Sequence, residues 1–337
     1  MAIATNTRTT YGAIGVREDL SNIIYNISPM DTPFISNAGK GSADNTLFEW
    51  QTDELAAAAA NQQLEGDDSM NALAVAEPVR LTNYCQISYK AVQTSGTAEA
   101  VDFAGRKSSQ AYQLAKRAKE IKRDMEKMLL SNDVKVAGAA ATPRKTAAVM
   151  SWLGTTSAGT SNIILGSASP VVGVVNNGGS SPAVGPDGTT VASFGTSAVL
   201  TMAMINLAME RCFTLGGEPS TILAPADLKQ KISALGGSVI ADLVTNHDKA
   251  TQGTAVNAVD VLVTDFGTLK IVPSRLMLAD MLFFVDYDFW SVDYLRPFQT
   301  ETLAKTGDSI KQLMIAEYGL RAKNGLANAA VIGVKDA

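Results

Sequence analysis

The 337-residue sequence contains few of the residues on which common catalytic sites depend. It has one histidine, His247, which excludes any site that needs two imidazoles, such as an HExxH metal centre. The two cysteines, Cys85 and Cys212, form no CxxC pair, so we predict no disulfide framework and two small buried side chains. GxSxG, Walker A and GxGxxG patterns do not occur. These absences argue against the common hydrolase and nucleotide-binding classes.

Long apolar runs and an excess of positive charge are also missing. No run approaches the roughly 18 apolar residues of a membrane-spanning helix, so we predict no membrane association. The first twenty residues are polar, and we expect no secretory leader. A net charge of −5 argues against a protein whose main task is to grip nucleic acid. With 46% hydrophobic and 18% charged residues, the chain is predicted to be globular, with two or more compact units and extensions.

The first 95 residues predict an arm followed by a long finger. Residues 1–43 carry few large apolar side chains before Ile23, and the prolines at positions 29 and 33 disfavour a continuous helix. Strand-like runs at 46–52 and 79–93 flank a weakly apolar segment. In the second run the following residues are predicted to share one face: Leu81, Asn83, Cys85, Ile87 and Tyr89. A two-stranded ribbon is marginal alone, so the finger needs another surface to lie on.

A long amphipathic helix is predicted from about Asp102 to Leu130, roughly 40 Å long. Its apolar stripe recurs at spacings of three and four: Ala111, Leu114, Ala118, Ile121, Met125 and Met128. Lysines and arginines, interleaved with acids, cover the remainder. We interpret that charged face as solvated or as an intersubunit surface, with nucleic-acid contact as the alternative.

Beyond position 145 the sequence changes character. Asp187 is the one charged residue between 146 and 209, and the part from 155 to 195 is rich in Gly, Ser, Thr and Val, which predicts an insertion of short strands and loops. We predict a helix from about Thr196 to Gly216, buried because it is apolar nearly all round, and another from Pro225 to Gly236. Four strands are predicted in the tail, at 261–264, 269–272, 281–285 and 314–322.

The candidate chemical sites are sparse, and we predict neither an enzyme nor a bound cofactor. Asp286, Asp288 and Asp293 could be arranged around Mg²⁺ if two of them shared a strand face, but a solvated strand explains them equally simply. The acids Glu65, Asp67 and Asp68 raise the same alternatives. His247 lies in a polar run and is interpreted as a surface residue.

Short motifs in a fixed order carry a resemblance to a known fold. They are REDLSNIIYNISP at 17–29, DTPF at 31–34, EWQTD at 49–53, SGTAEAVD at 95–102, KRDME at 122–126, VTDFGTL at 263–269 and YLRPF at 294–298. Together with the order of arm, finger and long helix, they resemble the capsid proteins of tailed bacteriophages, the Johnson or Hong Kong 97-type fold. The resemblance covers nearly the whole chain except about 155–195.

The resemblance implies an α+β fold with an N-terminal arm, an extended hairpin loop, a long spine helix, and peripheral and axial domains. The expected division is an arm at 1–43, the hairpin at 44–95, a peripheral domain with the spine helix at 96–154, the insertion at 155–195, an axial domain at 196–265, and a strand-rich return to both domains at 266–337.

The implied function is structural: self-assembly into hexamers and pentamers of an icosahedral head shell around double-stranded DNA, without sequence-specific binding. A separate scaffolding protein, a portal and a decoration protein are the implied partners, the virion is the implied location, and assembly is expected in the bacterial host cytoplasm. Some relatives link subunits through a hairpin lysine, but no lysine lies between Lys40 and Lys90 here, so we expect no such isopeptide bond.

We predict that intersubunit contacts involve seven apolar residues of the arm and the hairpin: Ile23, Tyr25, Phe34, Phe48, Trp50, Leu55 and Leu64. The main alternative is the shell of a cellular protein nanocompartment with the same fold. An enzyme acting through Asp286 and Asp288 or His247, and a tail or head–tail connector protein, are the other classes considered.

Overall fold

The computed structural model describes residues 31–53, 58, 60, 62, 65–66, 77–103, 105–154, 161–166, 171–172, 187–194, 197–244 and 260–336. Its helices are α1 (Pro33–Asn37), α2 (Gly96–Ala100), α3 (Ser109–Leu129), α4 (Met202–Thr214) and α5 (Ala226–Val244). Its strands are β1 (Gly39–Ser42), β2 (Leu47–Thr52), β3 (Val79–Tyr84), β4 (Gln86–Ser95), β5 (Ile163–Leu165), β6 (Val171–Val172), β7 (Ala198–Val199), β8 (Thr221–Ala224), β9 (Val261–Thr264), β10 (Gly267–Pro273), β11 (Met281–Val285), β12 (Trp290–Thr302), β13 (Ser309–Ala322), β14 (Ala329–Ile332) and β15 (Val334–Lys335). This mixed α+β composition confirms the predicted fold class.

A four-stranded sheet, in the order β1-β12-β13-β4, forms the framework of one half of the folded subunit. Helix α3 covers one face of this sheet. The even-numbered residues of β4 and β13 share that face and point to the helix. Lys90 Nζ lies 2.7 Å from Asp124, and Thr94 Oγ1 lies 2.5 Å from Gln110 Oε1. The buried Ile121 and Met125 complete this contact. The apolar stripe predicted for the long helix is therefore confirmed as the sheet-facing side.

The other half of the folded subunit is built on a seven-stranded sheet in the order β6-β5-β14-β11-β8-β10-β9. Alternate residues of β11 enter two different cores, as the period of a strand requires. Leu282 and Phe284 pack with α4 and α5, whereas Phe283 faces Phe34 and Trp290 at centroid distances of 6.3 and 5.8 Å. The sheet is thus buried on both faces and joins the two halves of the subunit.

Several predicted helix boundaries are wrong. The long helix begins at Ser109 and not near Asp102, because Gly105 takes a φ of 76° and Ser108 caps the helix by accepting a hydrogen bond from the backbone N–H of Ala111. Its 21 residues span roughly 30 Å instead of 40 Å. Helix α4 begins at Met202, because Ala198 and Val199 pair with β15 instead. Helix α5 continues past Gly236 to Val244.

The predicted faces of two elements also need correction. The run 79–93 is divided at Cys85, and the odd-numbered residues that are buried in β3 become exposed in β4, because α3 covers the even-numbered side there. Ile87 and Tyr89 are consequently 44% and 65% exposed. Helix α4 is buried on one side only, and Phe213 at its end is 61% exposed.

The predicted tail strands at 261–264, 269–272, 281–285 and 314–322 are confirmed, although β10 and β13 extend further than predicted. The sequence pattern did not identify β12, which carries the largest share of the four-stranded sheet together with β13. No helix within the described ranges is long and apolar enough to cross a membrane.

Candidate assembly surfaces

The arm is fixed to the spine helix by one buried carboxylate. Glu126, on α3, accepts hydrogen bonds from the backbone N–H groups of Phe34 at 2.7 Å and Ile35 at 2.8 Å. These are the first free donors of α1, because Pro33 has none and the preceding Thr32 makes no side-chain cap. Burial raises the pKa of Glu126, against the opposing effect of the two N–H groups. Glu126 therefore replaces the missing cap and joins segments 92 residues apart in sequence.

The base of the hairpin is packed into the subunit. Phe48 and Trp50 stack at 5.6 Å, and Trp50 lies 5.3 Å from Trp152, measured between ring centroids. The guanidinium of Arg321 lies 5.7 Å from the centre of the Phe48 ring, and its Nη2 is 2.5 Å from the buried Asp293. A buried ion pair and three aromatic rings thus connect the hairpin to the four-stranded sheet.

Asn83 adds a second connection at this base. Its side-chain amide donates to Leu320 O at 2.6 Å and to Thr146 Oγ1 at 3.0 Å. Its carbonyl oxygen accepts from the backbone N–H of Tyr84 at 2.9 Å and of Ala147 at 3.0 Å. Because the residue is fully buried and every one of its hydrogen-bonding positions is used, Asn83 holds the hairpin in one orientation relative to β13.

Residues 187–194, within the predicted insertion, brace the hairpin from the other side. Lys135 Nζ donates to Thr82 O at 3.0 Å and to Asp187 O at 2.7 Å, and burial lowers the pKa of this amine. Asn132 exchanges two hydrogen bonds with the backbone of Ala192, at 2.7 and 3.0 Å. These contacts connect the hairpin, the end of the spine helix and the insertion in a single network.

The seven predicted intersubunit residues divide into two groups. Phe34, Phe48 and Trp50 are only 0%, 5% and 9% exposed in the single subunit, so their prediction as contacts with neighbours is corrected: their rings pack inside their own subunit. The strand pattern explains two of them, because Phe48 and Trp50 alternate with the exposed Glu49 and Gln51. The other predicted contacts lie outside the described residues: Ile23, Tyr25, Leu55 and Leu64.

Two apolar surfaces that the sequence did not single out are exposed. On the four-stranded sheet, opposite α3, Ile87 borders an open cleft of about 480 Å³ together with residues 137–139 and 142–144. Beside it the buried Glu317 pairs with Arg144 at 2.5 Å and Arg296 at 2.9 Å. This side of the sheet therefore presents Ile87 and Tyr89 beside an ion cluster in which one carboxylate is paired with two arginines.

The other exposed surface lies at the end of the seven-stranded sheet. Val261 and Val263 on the terminal strand β9 are 54% and 75% exposed. Phe213 and Phe266 pack against each other with tilted rings, their centroids 5.4 Å apart. A strand at the end of a sheet with exposed apolar side chains favours contact with another chain.

The carboxylates considered for a metal site have other partners. Asp286 caps a short turn by accepting a hydrogen bond from the backbone N–H of Asp288 at 3.1 Å, whereas Asp293 is held by Arg321 and Ser291. Glu65 is described, but Asp67, Asp68 and His247 lie outside the described residues. Within the described ranges, no group of three or more His, Cys, Asp or Glu side chains is placed to hold a metal ion.

Comparisons with known proteins identify a family and a shared fold. The family model for the SU10 major capsid protein matches residues 3–335. The major capsid protein of Escherichia phage Phieco32 is 29% identical, over 95% of this chain and 94% of its own length. The capsid asymmetric unit of cyanophage A-1(L) has the same fold, with a TM-score of 0.67 and 13% identity over 95% of this chain and 97% of that chain. The holo-SrpI encapsulin complex from Synechococcus elongatus PCC 7942 is also similar, with a TM-score of 0.50 and 8% identity over 93% of each chain.

Proposed function

This chain belongs to the SU10 major capsid protein family and forms the head shell of a phage, and from that premise we propose how its parts serve assembly. We divide the chain as the sequence suggests, into an arm (1–43), a hairpin (44–95), a peripheral domain (96–154), an insertion (155–195), an axial domain (196–265) and a strand-rich return (266–337). The arm and the hairpin bind neighbouring subunits, and the two domains form the body of the shell wall.

The hairpin base is the observation that supports this division of labour. Strands β2 and β3 form a two-stranded sheet of their own, and the base of that sheet is locked by Trp50, Asn83 and Arg321. A ribbon locked at its base gains little further stability from its own subunit and presents the chain between Thr52 and Val79 to other surfaces. We propose that Leu55 and Leu64 make these contacts with a neighbour.

The arm is proposed to work in the same way. Glu126 fixes α1, so the arm is anchored at a defined point on the spine helix. Ile23 and Tyr25 would then gain apolar contacts from an adjacent subunit, and that burial would offset the cost of ordering an extended chain. Fixing the exit point lowers this cost, because fewer residues have to be ordered on binding.

Two further surfaces are proposed to join copies into pentamers and hexamers. The end of the seven-stranded sheet, with Val261 and Val263, is exposed and apolar, as is the face of β4 that carries Tyr89. Rotational symmetry requires each interface to bring two different patches of the same chain together. We propose that these two patches meet at the contact between adjacent copies.

The remaining partners follow from the role of a head shell. We propose that the shell encloses double-stranded DNA without reading its sequence, that it assembles in the bacterial host cytoplasm, and that a separate scaffolding protein, a portal and a decoration protein act with it. The nanocompartment alternative rests on a structural similarity with a TM-score of 0.50 and 8% identity. The family match covers residues 3–335 and favours a phage head shell.

Electron microscopy of the protein produced together with its scaffolding protein tests the proposal. The wild type is expected to form closed icosahedral shells, and native particles are expected to contain nucleic acid. Leu55→Ser combined with Leu64→Ser should leave a folded subunit that no longer closes shells. The matched control, Ala58→Ser with Ala60→Ser in the same segment, should assemble normally. Normal shells from the leucine variant would refute the role of the hairpin tip.

A further inference from the structure

The exposed charged residues of the spine helix are four lysines and one carboxylate, Asp124. Lys116, Lys119, Lys122 and Lys127 are exposed on α3 and form what we term the spine lysine face. Ile121 and Met125 of the same helix are fully buried against the four-stranded sheet. The four lysines therefore lie on the part of the helix surface that the sheet leaves exposed.

The acids of the same helix do not neutralise these lysines. Glu120 pairs with Arg117 at 2.5 Å, Asp124 pairs with Lys90 at 2.7 Å, and Glu126 is buried under α1. Among the described residues, none of the four lysines has an ion-pair partner within 4.0 Å. A subunit with a net charge of −5 thus concentrates unpaired positive charge on one face.

We propose that the spine lysine face contacts the phosphate backbone of the packaged DNA duplex, an inference that rests on the proposed DNA-enclosing shell. From Lys116 to Lys127 the helix rises about 16 Å, a length over which a duplex presents roughly nine or ten phosphate charges. Lysine is a flexible point charge that can reach phosphates without fixing a base sequence. An acidic wall repels a polyanion, and a cationic face turned to the DNA removes that repulsion.

A neighbouring copy is the competing partner for this face. The chain between positions 41 and 79 has eight acidic residues and no basic one: Asp44, Glu49, Asp53, Glu54, Glu65, Asp67, Asp68 and Glu77. Two of these acids are already engaged, since Glu49 lies 3.4 Å from Arg80 and Asp53 also has a partner. Flexible lysines spread along about 16 Å of helix can each reach a phosphate of a uniformly charged duplex, whereas the acids of the finger are partly neutralised.

The test measures binding of a random-sequence 30-base-pair duplex to full-length, unassembled subunits by fluorescence anisotropy across a range of salt concentrations. The test variant is Lys119→Gln with Lys122→Gln. The control is Lys311→Gln with Lys335→Gln, which removes the same charge from exposed positions away from α3. Glutamine has a helix propensity similar to that of lysine, so the fold should persist, and thermal melts check this.

The expected result is weak wild-type binding with a log–log salt slope of about −3 to −4, falling in magnitude by about 2 in the spine variant and little in the control. Affinity at low salt should drop at least tenfold in the spine variant. Equal losses in both variants would overturn the proposal, as would wild-type subunits that form shells but do not bind the duplex. A spine variant that binds DNA normally but fails to assemble would assign the lysine face to a neighbouring copy. Failure of the wild type to form shells in the presence of its scaffolding protein would instead refute the proposed function.

Discussion

Replacing Glu126 tests whether a single carboxylate anchors the arm. Glu126→Ala leaves the buried N–H groups of Phe34 and Ile35 without acceptors. Hydrogen bonds to charged groups contribute about 1.5–3 kcal/mol each, and removal of the buried charge returns part of that loss. We therefore expect α1 to be destabilised by about 2–4 kcal/mol. Glu126→Gln keeps one acceptor and turns an amide N–H₂ towards the other donor, so about half of this loss is expected.

Hydrogen exchange on unassembled subunits measures the effect directly, because undocking of α1 exposes those two amides. A loss of about 2–4 kcal/mol corresponds to exchange that is roughly 30- to 900-fold faster at Phe34 and Ile35 in Glu126→Ala. Asp124→Ala, two residues away on the exposed side, is the matched control and should leave both rates unchanged. Wild-type exchange rates in Glu126→Ala would refute the anchoring role.

The pH dependence provides a second readout of the same anchor. Burial raises the pKa of Glu126 in the folded subunit. A raised folded-state pKa means that the folded subunit holds the proton more tightly than the unfolded chain does. The contribution of Glu126 to stability is thus fully present below its ordinary pKa and is lost as pH rises through the raised value. The stability of the wild type relative to Glu126→Gln should decrease as pH rises from the ordinary glutamate pKa through the raised pKa of Glu126, and the opposite trend would contradict this assignment.

Three further predictions concern the sheet, the spine helix and covalent linkage. Gly41→Ala would place a Cβ against the carboxylate of Asp293, which is itself held in place. The free energy of unfolding measured in urea should therefore fall by at least about 2 kcal/mol. The control Ser42→Ala, at an exposed position, should lower it by less than about 0.5 kcal/mol. Ile121→Asp puts a charge into the sheet-facing stripe and should cost at least about 3 kcal/mol in the thermal melt of unassembled subunits, while Lys119→Ala should cost under about 1 kcal/mol; the reverse order would place the stripe on the wrong side. Particles boiled in denaturant should migrate as 35.4 kDa monomers, and a ladder of multimers would show that a crosslink forms without a hairpin lysine.

The sequence pattern identified most elements but not their partners. Spacings of three and four placed Ile121 and Met125 on the buried side of α3, and alternation identified β2, β3 and the tail strands. Alternation cannot say which side of a strand is covered. The odd-numbered residues of the run 79–93 are buried before Cys85 and exposed after it, because α3 covers the opposite side of β4.

The assembly surfaces were less accessible to sequence reasoning than the fold. Phe34, Phe48 and Trp50 were predicted to contact neighbouring subunits, because an arm and a hairpin have few apolar contacts within their own segments. Their partners come from distant parts of the chain: Phe283 and Trp290 for Phe34, and Trp152 for Trp50. A large apolar side chain signals burial, but the sequence does not specify whether the covering surface belongs to the same subunit.

Motif order and periodicity in this sequence were sufficient to determine the family, the α+β class and the one-sided spine helix, because each depends on residues close together in the chain. Only the tertiary structure decided the role of Glu126, which looks like another surface charge among the lysines and arginines of the helix. Its burial depends on α1, 92 residues earlier in the chain, and on the missing donor at Pro33. Contacts over such separations are set by the packing of whole elements, and no local pattern encodes them.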